Sequence, residues 1–187
     1  MSKGEKKERI DTILARRGLF PSREQARRAV MAGDVSVEGV LVDKPGRRFA
    51  ADISIRLKQR PRYVGRGGKK LEGALRDFAI DVFGMIVLDA GSSTGGFTDC
   101  LLQAGVRRVY CFDVGKGQLD WKLRTDPRVI VRESRNVRYL RPDEVEEKPD
   151  LITADLSFIS LTLVLPALAA VVREEGLILA LIKPQFE

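Results

Sequence analysis

Asp89-Ala90-Gly91-Ser92-Ser93-Thr94-Gly95-Gly96-Phe97 follows the apolar run Met85–Leu88 and leads into a stretch with helical spacing. A buried strand that ends in an acid and a glycine-rich turn is how an open α/β sheet makes a nucleotide-shaped crevice at its carboxyl edge. Glycine there lets backbone approach a ligand where a Cβ would collide. The spacing is G-x-x-x-G-G, not the G-x-G-x-x-G that wraps a pyrophosphate. It points away from NAD and toward a nucleoside ligand without phosphates, such as S-adenosylmethionine.

Outward from this turn, strands and helices alternate. The patterning predicts strands at Met85–Ala90, Val109–Asp113, Val129–Val131, Leu151–Ala154 and Leu177–Ile182, with helices at Phe97–Ala104, Gln118–Leu123 and Ser160–Val172. That alternation predicts an α/β fold, a Rossmann-like doubly wound parallel sheet. Leu161, Val164, Leu165, Leu168 and Val172 form a sheet-facing stripe with a kink expected at Pro166. Leu71, Ala74, Leu75 and Phe78 mark a helix entering this domain, which is read as residues 69–187. The sequence stops at Glu187 directly after its last expected strand, so it reads as a fragment truncated at the carboxyl end.

The first 60 residues have a different grain. Ile10, Ile13 and Leu14 recur at helical spacing with Gly18 behind them; Ser22 and Gln25 form a capping-box pattern before a second helix ended by Gly33. Short strand signals follow at Val35–Val37, Val40–Val42 and Ile53–Leu57. Residues 1–60 therefore read as a small α+β unit. Residues 61–68, the end of a Pro/Gly-rich basic stretch starting at Gln59, read as a linker.

Charge separates the two parts. Residues 1–60 hold 15 Lys/Arg against 8 Asp/Glu, whereas residues 61–187 hold 18 against 18, so the whole net charge of +7 lies in the first unit. A basic module beside a neutral one suits polyanion capture next to a separate chemistry domain. The chain has no histidine and only two cysteines, which excludes Ser-His-Asp and Cys-His catalysis and argues against a metal site. No apolar run is long enough to span a bilayer and Met1–Asp11 lacks a secretory h-region, so a cytoplasmic protein is expected.

The segments RIDTILARRGLFPSREQARRAVMAGDVSVEG with VDKP, RGGKKLEGAL, LDAGSSTGGFTDCLL, DVGKGQLDWKLRTDPRV, ADLSFISL and IKPQFE together resemble the TlyA family. In that family an S4 RNA-binding domain precedes an FtsJ-like (RrmJ-like) methyltransferase that acts on ribose 2′-hydroxyls of ribosomal RNA, and some members bear a haemolysin name. The resemblance implies S-adenosylmethionine as cofactor and ribosomal RNA or ribosomal subunits as partner. It matches Lys70, Asp155 and Lys183 to three members of a catalytic Lys-Asp-Lys-Glu set, with the glutamate expected past Glu187. A ribose 2′-hydroxyl is a weak nucleophile whose proton needs an acceptor, and Lys183 is the expected base. Lys69 is the competing neighbour of Lys70, about 100° away around the helix. The expected donor-binding residues are Asp89, Gly91, Ser92, Thr94, Gly95, Gly96, Phe97, Asp113, Asn136 and Asp155, with Asp113 placed to accept ribose hydroxyls. Asp155-Leu156-Ser157-Phe158 lacks the paired prolines of base-amine methyltransferases, which favours an oxygen acceptor. Arg9, Arg23, Arg27 and Arg28 of the first unit, with Arg62 and Arg66 of the basic stretch, are the expected RNA contacts. The rival readings are a non-catalytic RNA-binding or ribosome-assembly factor, and a haemolysin-like membrane-active protein.

Overall fold

A computed structural model describes residues 7–58 and 61–187, so Gln59 and Arg60 of the basic stretch lie outside the described residues. The chain divides into two compact units, Met1–Arg60 and Pro61–Glu187.

In the first unit, β1 (Glu8–Arg9) pairs antiparallel with β4 (Arg48–Phe49), while β2 (Val35–Val37) lies between β3 (Val40–Leu41) and β5 (Ile55–Leu57) in an antiparallel sheet. Glu38 and Gly39 both have positive φ, 52° and 80°, which suits the tight turn joining β2 to β3. Helices α1 (Ile10–Arg16) and α2 (Arg23–Met31) bury Ile10, Leu14, Ala26, Ala29 and Val30 against the sheet residues Val35 and Val37. The expected cap forms: the Ser22 hydroxyl accepts the Gln25 amide N–H at 3.2 Å.

The second unit is a parallel five-stranded sheet. Its strands are β6 (Ile86–Ala90), β7 (Arg108–Asp113), β8 (Val129–Glu133), β9 (Leu151–Ala154) and β10 (Leu177–Ala180), in spatial order β10-β9-β6-β7-β8. The order reverses at β6, so the switch-point crevice falls between the ends of β6 and β9. Alternate residues of β6 serve two cores. Val87 packs with Leu71, Leu101 and Val109 beneath α3 (Gly67–Asp77) and α4 (Gly96–Gln103). Ile86, Leu88 and Ala90 pack with Val164, Leu168 and Val171 on the face covered by α6 (Leu165–Val171).

Several features differ from the sequence expectation. The pair β1–β4 lies outside it, and the helix expected at Gln118–Leu123 forms as α5 (Trp121–Arg124), where the Asp120 carboxylate caps it by accepting the Lys122 amide. Pro166 opens α6 instead of kinking it, after a separate 3₁₀ turn at Leu161–Leu163, because a missing N–H costs nothing in a helix's first turn. The last strand ends at Ala180. Most consequential, the stretch 61–68 packs into the second unit through Tyr63, Val64 and its glycines, while Pro61, Arg62 and Arg66 stay exposed. Tyr63 is 4% exposed, Val64 N–H donates to the Asp99 carboxylate at 2.8 Å, and Gly67 and Gly68 already belong to α3. A Cβ on Gly68 would meet the Tyr63 ring, and one on Gly96 would lie 3.0 Å from the Gly68 nitrogen. These glycines let α3 and α4 approach backbone to backbone.

Candidate methyl-transfer site

The expected cleft opens at the carboxyl edge of the sheet and has two lobes that share Gly91, Ser93, Asp155 and Ser157. The larger, about 520 Å³, is lined further by Asp113, Val114, Gln118, Arg135, Asn136, Leu156 and Phe158. The smaller, about 280 Å³, is walled by Gly65, Arg66, Lys70, Ser92, Thr94, Gly96, Phe97 and Lys183.

Both lysines reach one carboxylate. Lys183 Nζ lies 2.6 Å from Asp155 Oδ1 and donates to Ser157 Oγ at 2.9 Å, and Lys70 Nζ lies 3.5 Å from Asp155 Oδ2. Asp155 sits directly after β9, its amide donating to Ala90 O at 3.2 Å, so the sheet itself fixes the carboxylate. Lys70 comes from α3, and Lys183 follows β10. Lys70, not Lys69, is the member of the pair paired with Asp155. Glu187 is held elsewhere: its carboxylate accepts Ser160 Oγ at 2.8 Å and the Leu161 amide at 3.1 Å.

On the side of the glycine turn, Gly91 has φ +85°, and a Cβ on it would fall 2.9 Å from the Asp155 carbonyl oxygen. Ser92, Thr94, Gly96, Phe97, Asp113 and Asn136 line the cleft. Asp113 accepts the Ser93 and Gly115 amides at 2.7 Å each, which fixes its carboxylate and leaves lone pairs for further donors. Asn136 Oδ1 accepts the Arg138 amide at 3.0 Å, presenting a fixed amide to the larger lobe.

Two expected contacts are corrected. Asp89 is fully buried and lines neither lobe: one residue short of the end of β6, strand alternation turns it toward α4, where it accepts Thr98 Oγ1 at 2.6 Å and Thr153 Oγ1 at 3.2 Å. Gly95 also lines neither lobe. Its φ is +96°, and a Cβ there would strike Leu123 and Leu119, so it admits those side chains instead of a ligand. Sequence reading missed Ser93, Gln118, Arg135 and Ser157. Ser93 stood inside the glycine turn itself, Gln118 in the stretch that begins at Asp113, and Ser157 two residues after Asp155; Arg135 carried no signal.

Burial pushes the Asp89 carboxyl up to about 6 against the lowering effect of its threonine hydrogen bonds. Its folded pKa is therefore above the unfolded value, the folded state binds more protons between about pH 4 and 6, and this group's contribution to stability falls as pH rises through that window. Asp89→Asn carries no such charge. The melting temperature of the variant minus that of the native protein is expected to rise from pH 4 to pH 6 and then level off, a change of up to roughly 3 kcal/mol in stability. A difference flat across this range would show that Asp89 titrates normally.

Of the arginines expected to contact RNA, Arg66 lines the smaller lobe. Arg62 pairs with Glu72 and lies over the Tyr63 ring. Arg27 and Arg28 share the exposed Glu24, each at 3.6 Å, and Arg9 and Arg23 both pair with Asp11.

A switch-point cleft with a glycine turn, a carboxylate fixed at its rim and a Lys-Asp-Lys cluster marks a Rossmann-like methyltransferase unit, here preceded by a small basic α+β module. The chain belongs to the FtsJ-like methyltransferase family, which matches residues 63–187, and residues 8–51 match the S4 domain. It is 50% identical to YqxC of Bacillus subtilis over 184 residues, 97% of this chain and 66% of that protein. It is 47% identical to the 16S/23S rRNA (cytidine-2′-O)-methyltransferase TlyA of Mycobacterium tuberculosis over 181 residues, 96% of this chain and 68% of that one. A solved structure of a hemolysin-named protein from Streptococcus thermophilus superposes with a TM-score of 0.67 at 49% identity, covering 98% of this chain and 68% of the other. The chain thus spans about two thirds of the length of these relatives. Among the described residues, no helix is long and apolar enough to cross a membrane.

Proposed function

We propose that the protein is an S-adenosylmethionine-dependent 2′-O-methyltransferase of ribosomal RNA, working in the cytoplasm, with the S4 unit holding structured RNA. The observation that carries this reading is the convergence of Lys183 and Lys70 on Asp155 beside Gly91. The residues fit the donor: a cleft of about 520 Å³ holds a fixed carboxylate at Asp113 and an amide at Asn136, and Gly91 keeps its floor free of side chain. S-adenosylmethionine supplies a methyl group already activated on a sulfonium.

What remains for the chain is to orient the acceptor and take its proton. A ribose hydroxyl is a weak nucleophile, so the base must be aimed at it. Asp155 and Ser157 fix the direction of Lys183 Nζ by accepting two of its N–H groups. As the free amine, Lys183 takes the 2′-hydroxyl proton while the O–CH3 bond forms and the S–CH3 bond breaks, and Asp155 then pairs the ammonium produced. Asp155 also balances the positive charge of Lys70 and of the donor. The test is transfer of labelled methyl groups to purified ribosomal subunits, followed by mapping of ribose methylation. Label on a ribose 2′-oxygen is the expected result. RNA binding without incorporation would favour the non-catalytic assembly factor. Leakage of dye-loaded liposomes would favour the membrane-active reading.

A further inference from the structure

Among the described residues of the first unit, Asp11 is the charged side chain that is buried, at 1% exposure. A carboxylate taken out of water has to be paired and hydrogen-bonded. Asp11 Oδ1 accepts Arg9 Nε at 3.1 Å and Oδ2 accepts Arg9 Nη2 at 2.8 Å, a forked pair that fixes the guanidinium plane. Oδ2 also accepts Arg23 Nε at 3.2 Å, and Thr12 Oγ1 lies 3.3 Å from Oδ1. The Arg9 hydrogen bond is the largest influence holding the Asp11 carboxyl below its usual range. Arg9 is further confined by Gly46, where a Cβ would sit 3.3 Å from Nη1.

One buried acid thus holds two guanidiniums side by side, from β1 and α2, while their side chains stay 42% and 57% exposed. Arg27 and Arg28 differ: their shared Glu24 is itself 56% exposed, and such pairs restrain little.

We propose that Asp11 is a positioning residue for RNA capture, holding Arg9 and Arg23 as a pre-ordered clamp for RNA phosphate. The proposal rests on the reading of the first unit as an RNA-binding module. Long side chains lose rotamer freedom when they bind, and here that loss is met on folding. Simple charge counting gives the opposite sign. Removing a carboxylate from a basic unit should tighten its hold on a polyanion.

The test is filter binding of labelled 16S and 23S rRNA transcripts at fixed salt, with each variant's fold checked by its melting curve. Asp11→Asn is expected to weaken binding about tenfold despite the gained positive charge, from the ordering cost restored to two side chains. Arg9→Gln and Arg23→Gln should each weaken it, and Asp11→Asn should add no further loss in the doubly substituted background. Asp11→Asn binding as tightly as native protein, while the arginine variants weaken, overturns the proposal. Undiminished binding in every arginine variant would instead sink the RNA reading beneath it. Should Asp11→Asn not fold, arginine Nε–Hε spectra of the native protein decide. Slow-exchanging Arg9 and Arg23 signals that shift on adding RNA support the clamp. Exchange as fast as that of Arg27 and Arg28 refutes it.

Discussion

Lys183→Met is expected to lower methyl transfer to ribosomal RNA by about 10²–10⁴-fold, the usual contribution of a positioned proton acceptor. Donor affinity should stay within about threefold, because the variant keeps its apolar stem and Gly91, Asp113 and Asn136 are untouched. The geometry argues for so uneven an effect. Lys183 is 19% exposed, its Nζ held by Asp155 Oδ1 at 2.6 Å and Ser157 Oγ at 2.9 Å, so no other group can readily take its place. Lys69→Met is the control, since Lys69 is exposed on α3 next to the residue that does reach Asp155. Methyl incorporation measured beside calorimetric titration with S-adenosylmethionine separates the roles. Full activity would remove Lys183 from the chemistry, and parallel loss of donor affinity would make it a binding residue.

The central strands and the edge at which Asp155 and Lys183 emerge are legible in the sequence for a simple reason. A parallel sheet buried on both faces leaves apolar runs, and residues just past those runs must emerge at the carboxyl edge. Asp155 and Lys183 stand in such places, and the resemblance is what names them, together with Lys70. What misled was the residue whose meaning depends on a partner. Gly65, Gly67 and Gly68 have the composition of a flexible linker, yet the missing side chains serve the approach of α3 to Thr94, Gly96 and Phe97 on the glycine turn and α4. Composition cannot distinguish glycine used for freedom from glycine used for contact.

Parity misled as well. Asp89 stands beside the turn and so reads as a ligand contact, but strand alternation sends it to the α4 face. Asp11 went unremarked because a short-range motif says nothing about Arg23, twelve residues away, folding back onto it.

Gly91→Ala tests the floor of the cleft with a single added carbon. An alanine at φ +85° is strained whatever the room, and its Cβ would stand 2.9 Å from the Asp155 carbonyl oxygen and 3.1 Å from Leu156 Cδ2. The leucine can rotate away. The carbonyl cannot, since it is backbone at the end of β9, where the Asp155 amide is bonded to Ala90 O. Relief therefore requires the ends of β6 and β9 to part, which shifts the Asp155 carboxylate away from its lysines. Donor binding has to reverse that shift, so a strain of roughly 1–3 kcal/mol appears as a loss of about 10- to 100-fold in donor affinity. Gly73→Ala supplies the contrast: it lies inside α3 with no heavy atom within 4 Å of a built Cβ. It should gain roughly 0.5–1 kcal/mol of stability and bind donor normally. If Gly91→Ala lowers the melting temperature but titrates with S-adenosylmethionine as the native protein does, the meeting of β6 and β9 is a structural joint and the methyl donor sits elsewhere.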